Sequence, residues 1–137
     1  MRRNQLVTRS LLVAGLLLGA PWMMAGHDKG NVDELRFGTA VNTEGVVPAE
    51  NHAKHFVPDK AIHVTMQVQE APEGTDLMLS IVDRETDELV WSAKQAVPGG
   101  HASMHFVVQG GDLDPGKYRA KVKLGNDWVA EHEFKIE

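Results

Sequence analysis

The stretch LDPGKYRAKVKLGNDWVAEHEFKI, residues 113–136, leaves the chain little choice of fold. Tyr118, Ala120, Val122 and Leu124 alternate with Lys117, Arg119, Lys121 and Lys123, the period-two pattern of a strand with one buried and one solvated face. Gly125, Asn126 and Asp127 then supply the residue types that tolerate a tight reversal. On the return, Trp128, Ala130, His132, Phe134 and Ile136 alternate with Val129, Glu131, Glu133, Lys135 and Glu137. Acidic side chains are therefore expected opposite basic ones, a pairing that helps to set register. The hairpin is preceded by a Pro115-Gly116 turn that delivers Tyr118 into the strand, at the spacing where a buried tyrosine hydroxyl bonds back to backbone a few residues upstream.

The remainder reads as further short strands. Leu35 and Phe37 share a face, and a strand is expected to begin near Leu35. A long connection at 45–58, with Val46, Val47, Pro48 and Phe56, has no clean period and offers a loop surface for recognition. Ile62, Val64, Met66 and Val68 alternate with His63, Thr65, Gln67 and Gln69. Leu77, Leu79 and Ile81 are expected to face inward, with Met78, Ser80 and Val82 outward. A charged turn at 83–88 leads to a short strand at 89–93, and Pro98-Gly99-Gly100 leads to another at 101–109. About seven short strands punctuated by turns describe an all-β sandwich, not alternating strand–helix units.

The segments ELRFGTAV, FVPDKAIHVTMQV, PGKYRAKVKL and VAEHEFKI resemble those of small bacterial secreted proteins that carry a single immunoglobulin-like domain. The resemblance spans roughly 34–137. It implies an all-β, immunoglobulin-like antiparallel β-sandwich in a periplasmic or secreted protein, and it implies no activity. One departure concerns Trp91, which follows the charged turn, whereas relatives often have a tryptophan inside the third strand.

At the N-terminus, Arg2, Arg3 and Arg9 precede an apolar run at 11–20 that is too short to span a bilayer and has the length of a signal-peptide core. Pro21 ends the run, and Ala25 and Gly26 offer small residues for cleavage. The chain thus divides into a signal peptide at 1–25, a flexible leader at 26–33 and a sandwich domain at 34–137. The membrane would be touched only through the N-terminal segment, if it stayed uncleaved. The absence of cysteine excludes a disulfide framework and a lipid-anchored cysteine. Residues 1–25 hold three arginines and no acid, so their removal takes the net charge from −5 to −8. Nucleic acid and anionic lipid are therefore poor partners. The mature chain is expected to be a monomer or weak dimer.

The sequence contains no Gly-x-Ser-x-Gly elbow, phosphate-cradling loop, His-Glu-x-x-His motif or cysteine nucleophile. Its carboxylates fall in turns or on solvated faces, and no enzyme is expected. Histidine is the enriched reactive type, with seven copies. His52 and His55 lie in the long loop, while His63, His101 and His105 have the outward parity of their strands. Residues i and i+4 of one strand are about 13 Å apart, too far for His101 and His105 to hold one ion. A cross-strand pair would form if the register places His63 of the adjacent antiparallel strand by His105 and not opposite Val107, with His52 or His55 reaching over as a third ligand. His132 has inward parity and is expected to be packed and hydrogen-bonded. Two functions follow. The first is a non-catalytic, cofactor-free binding module for another envelope protein or a surface polymer. The alternative is a periplasmic carrier of copper or zinc built on His63, His101, His105, His52 and His55.

Overall fold

The alternating segments pair into two sheets. A computed structural model describes residues 30–137; the expected signal peptide and residues 26–29 of the expected leader lie outside the described residues. The strands are β1 (Asn31–Gly38), β2 (His55–Phe56), β3 (Ile62–Ala71), β4 (Asp76–Asp83), β5 (Leu89–Ala96), β6 (Gly100–Val108), β7 (Gly116–Leu124) and β8 (Asp127–Ile136). The three-stranded sheet has the order β1-β3-β6, and the five-stranded sheet the order β2-β8-β7-β4-β5. All pairs are antiparallel except β2 with β8, which run parallel through His55↔Lys135 and Phe56↔Ile136. Eight strands thus replace the expected seven, and the sandwich is not purely antiparallel.

The core lies between the sheets. Val64, Met66 and Val68 of β3 meet Leu77, Leu79 and Ile81 of β4 and Ala120, Val122 and Leu124 of β7, all essentially inaccessible to water. Each such aliphatic side chain contributes about 1.5–3 kcal/mol by leaving water. The inward parity expected for β3, β4 and β7 holds. Ser80 and Val82 are nonetheless buried as well, so the outer face of β4, the strand between β7 and β5, is covered.

Three segments depart from simple alternation, two through bulges and one through long-range packing. Strand β1 begins at Asn31, ahead of Leu35, because a bulge lets it continue. Its pairing slips between Asp33 and Arg36, where Glu34 adopts φ 53°, and Val32 and Leu35 are both half-buried against the core. In β8 the register slips where Val122↔Ala130 gives way to Lys123↔Trp128. That single step turns Trp128 outward, against the inward position expected for it. The ring lies 54% exposed, with the Lys121 and Lys123 ammonium groups 5.3 and 5.4 Å from its centre.

The third departure is the connection at 45–58. It carries a single 3-10 turn, Ala49–Asn51, and of its apolar residues Val47 and Phe56 belong to the core while Val57 is 42% exposed. Val47 is fully buried and Phe56 is 3% exposed. The Val47 amide donates to Thr65 Oγ1 at 3.0 Å, and Arg36 donates to the Val47 carbonyl at 3.3 Å. A Cβ at Gly38 would stand 2.8 Å from Val47 Cγ1, so only glycine lets the loop approach β1 there. The Ala53 amide then donates to the Phe37 carbonyl before β2 joins β8, so this segment bridges the open edge between the sheets.

Candidate functional site

The charges of the β7–β8 hairpin form rows across the five-stranded sheet. On its outer face Lys121 is opposite Glu131, and Arg119 is opposite Glu133, with Arg119 Nη2 3.1 Å from Glu133 Oε2. The complementarity expected between the two strands holds in these two rows. It fails in the next one, where Lys117 is directly opposite Lys135. His55 of β2 is in register with Lys135 on the other side. Beyond Lys117, the Arg84 amide donates to the Lys117 carbonyl at 3.0 Å, continuing the β4–β7 register that ends at Asp83↔Tyr118. His55, Lys135, Lys117 and Arg84 therefore stand side by side across four neighbouring backbone segments.

This row lies in an open cleft of about 230 Å³ lined by Lys54, His55, Arg84, Lys117, Glu133, Phe134 and Lys135. Four of the chain's fourteen lysines and arginines line it, in a protein whose net charge is −5. Two carboxylates temper them: Glu133 lies 3.5 Å from Arg84, and Glu137 lies 3.7 Å from His55 and 3.9 Å from Lys135. The Arg119 hydrogen bond, followed by the charges of Arg84, Arg119 and Lys54, holds the Glu133 carboxyl below its ordinary pKa. Neither Lys54 nor Lys117 has an ion-pair partner among the described residues.

The cleft is framed by a buried aromatic support. Phe134 packs against Tyr118 at 5.6 Å and Phe56 at 6.0 Å between ring centres. The Tyr118 hydroxyl donates to the Asp114 carbonyl, the upstream bond expected from the Pro115-Gly116 turn. Burial, followed by the charges of Asp114 and Asp83, raises the Tyr118 pKa, so the hydroxyl keeps the proton that it donates. The lysines thus rise from backbone that the tyrosine and phenylalanines hold in place.

The histidines separate into pairs and singles. His63 and His105 meet on the outer face of the three-stranded sheet, as the antiparallel pairing of β3 and β6 allows. His63 is in register with Val107, yet its Nδ1 reaches diagonally to within 2.9 Å of His105 Nε2. One of these nitrogens must donate and the other accept. Partial burial and then the His63 charge lower the His105 pKa. His52 does not join them. It accepts the Phe37 amide through Nδ1 at 3.1 Å and lies 4.7 Å from the His132 ring. His132 is packed as expected, stacked on Phe37 at 4.4 Å with Nε2 3.3 Å from the Ala53 carbonyl. His55 belongs to the cleft. His101 has no hydrogen bond or ion pair among the described residues.

The five histidines considered as one ligand set are therefore not gathered. No group of three or more His, Cys, Asp or Glu placed to hold an ion occurs among the described residues. The cleft itself was missed because its cations come from the loop, the charged turn and both hairpin strands. The available signal was Lys135, the one basic residue in an otherwise acidic alternation.

No protein-family model and no curated protein matches the sequence. Among solved structures, the chain is similar to a β-glucosidase from Listeria innocua in complex with glucose, at 14% identity and a TM-score of 0.47, over 78% of this chain and 16% of that chain. The chain spans less than a fifth of that neighbour, and a likeness at this level carries no inference about activity.

Proposed function

We propose that the chain is a non-catalytic, extracytoplasmic binding module with an immunoglobulin-like fold, acting as a monomer or weak dimer. It docks on another envelope protein or a surface polymer through the outer face of its five-stranded sheet. The observation that carries this reading is the basic cleft, an open concavity held on paired strands and stocked with cations that few of the protein's own carboxylates engage. The sheet orders β1-β3-β6 and β2-β8-β7-β4-β5 support the immunoglobulin-like assignment, as does the bond from Tyr118 to Asp114. The N-terminal charge and apolar run, with no cysteine in the sequence, support the compartment. The test is retention of fractionated envelope protein and envelope polymer on the immobilised full chain. Retention should fall in a Lys117→Ala/Lys135→Ala variant and survive His63→Ala. Retention that ignored the lysines and vanished with His63 would refute the reading.

A second reading, a copper or zinc carrier, is favoured by the His63–His105 contact alone. Two imidazoles leave a tetrahedral zinc or a tetragonal copper(II) ion short of protein ligands. A titration of the full chain with either metal should give weak binding without a defined stoichiometry. A single tight equivalent lost on His63→Ala/His105→Ala would reverse the order of the two readings.

A further inference from the structure

We propose that the row His55–Lys135–Lys117–Arg84 is a subsite for a linear acidic polysaccharide, with carboxylates of alternate uronate rings seated over alternate cations; this rests on the binding-module reading above. Lysines directly opposite one another across an antiparallel pair destabilise a sheet. The adjacent rows of the same face avoid that cost through Arg119↔Glu133 and Lys121↔Glu131. A glutamate at 117 or 135 would extend the compensation by one row. The sequence instead places lysine on both strands, with His55 and Arg84 as neighbours in the row. A supplied anion resolves the conflict.

Spacing selects the class of polyanion. Neighbouring strands are ~4.8 Å apart, so three steps from His55 to Arg84 make a row about 14 Å long. A chain of linked six-membered uronate rings advances by close to one such step per ring and turns alternate rings over, so its carboxylates return to the same face about every two steps and stay in register with alternate cations of the row. An extended acidic peptide returns to the same face only every second residue, about 6.6 Å, and drifts out of step along the row. Single-stranded nucleic acid needs exposed aromatic platforms, and Phe134, the aromatic residue of the cleft lining, is 3% exposed. Lys54, beside the row, extends the positive rim. Glu133 and Glu137, held by Arg84, Arg119, His55 and Lys135, leave Lys117 as the cation of the row with no partner of its own among the described residues.

The experiment is calorimetric titration of the full chain with a galacturonate oligomer, its carboxyl-reduced neutral counterpart and a poly-glutamate peptide, paired with thermal melts. The galacturonate oligomer should bind, bind more weakly as salt rises, and bind at least about tenfold more tightly than poly-glutamate, while the neutral oligomer should not bind. Lys117→Glu, which gives Lys135 an opposite charge, should raise the melting temperature and weaken galacturonate binding at least about tenfold. Lys123→Ala, outside the row, should leave binding unchanged. Equal binding of poly-glutamate, binding that survives Lys117→Glu, no binding of the galacturonate oligomer, or a lowered melting temperature for Lys117→Glu would each overturn the proposal. Envelope retention that depends on Lys117 and Lys135 without galacturonate binding would keep the module reading and remove this one.

Discussion

At the level of single residues, the proton inventory is set by where nitrogen atoms point. His52 accepts the Phe37 amide through Nδ1, so its neutral form carries the proton on Nε2, and protonating Nδ1 would set two donors face to face. Burial lowers the pKa of His52, ahead of the Arg36 and Lys54 charges, and burial likewise leads the depression at His105 and at His132. For a base whose folded pKa lies below its unfolded value, the unfolded chain binds the extra proton first. Stability is therefore whole above the unfolded value of 6.5 and falls as pH drops through that value toward the lowered folded one. Thermal melts between neutral pH and about 5 should show this decline, and His52→Gln should flatten it. A slope unchanged in the variant would locate the effect elsewhere. Tyr118→Phe should destabilise the domain by about 1–2 kcal/mol, because the buried tyrosine ring keeps its place while the part-buried bond to the Asp114 carbonyl is lost. Lys121→Ala, a half-buried position on the outer face, should stay within about 0.5 kcal/mol. Equal losses in denaturant titrations would remove the structural weight assigned to the tyrosine bond.

At the level of elements, the connection between β1 and β3 closes one edge of the sandwich. Phe56 packs against Phe134 and is almost fully buried, so Phe56→Ala should cost about 3–5 kcal/mol and loosen β2 from β8. Amide exchange at Lys135 and Glu137, which donate to the Lys54 and Phe56 carbonyls, should speed up ahead of exchange in β3 or β4. Uniform acceleration would mean that β2 is no separate clasp. This element was also the least legible in the sequence. Period two located β3, β4 and β7, because each keeps a whole run of inward aliphatic side chains. It failed at the bulges of β1 and β8, where one extra residue reverses the parity of the side chains beyond the slip, and so misplaced Trp128 at the start of β8. It failed again at Val47 and Phe56, which are buried by long-range packing against Thr65, Gly38 and Phe134 and carry no local period. The contact of His63 with His105 followed from strand parity. The separation of His52 did not, because its partner Phe37 lies 15 residues away across a loop.

At the scale of the whole molecule, an acidic chain concentrates positive charge in one cleft on the outer face of its five-stranded sheet and leaves a like-charge pair uncompensated there. Its two sheets present different chemistry. The outer face of the three-stranded sheet offers His63, His105, Ser103 and Gln67, with His63 and His105 sharing one hydrogen bond and Ser103 donating to Gln67 at 3.0 Å. In the cleft, Lys54 and Lys117 have no ion-pair partner among the described residues, and Lys135 has only Glu137 at 3.9 Å. Raising ionic strength should therefore stabilise the free protein slightly, by screening Lys117 from Lys135, while weakening attachment to an acidic ligand. A melting temperature that fell with salt would contradict this balance. The most direct measurement is an amide nitrogen–proton correlation spectrum of the full chain titrated with a galacturonate oligomer. Shifts should concentrate at Lys54, His55, Arg84, Lys117 and Glu133 to Lys135, with the amides of His63, Gln67, Ser103 and His105 unmoved; shifts centred on those latter residues, or none at the lysine row, would rule out the cleft as the binding surface.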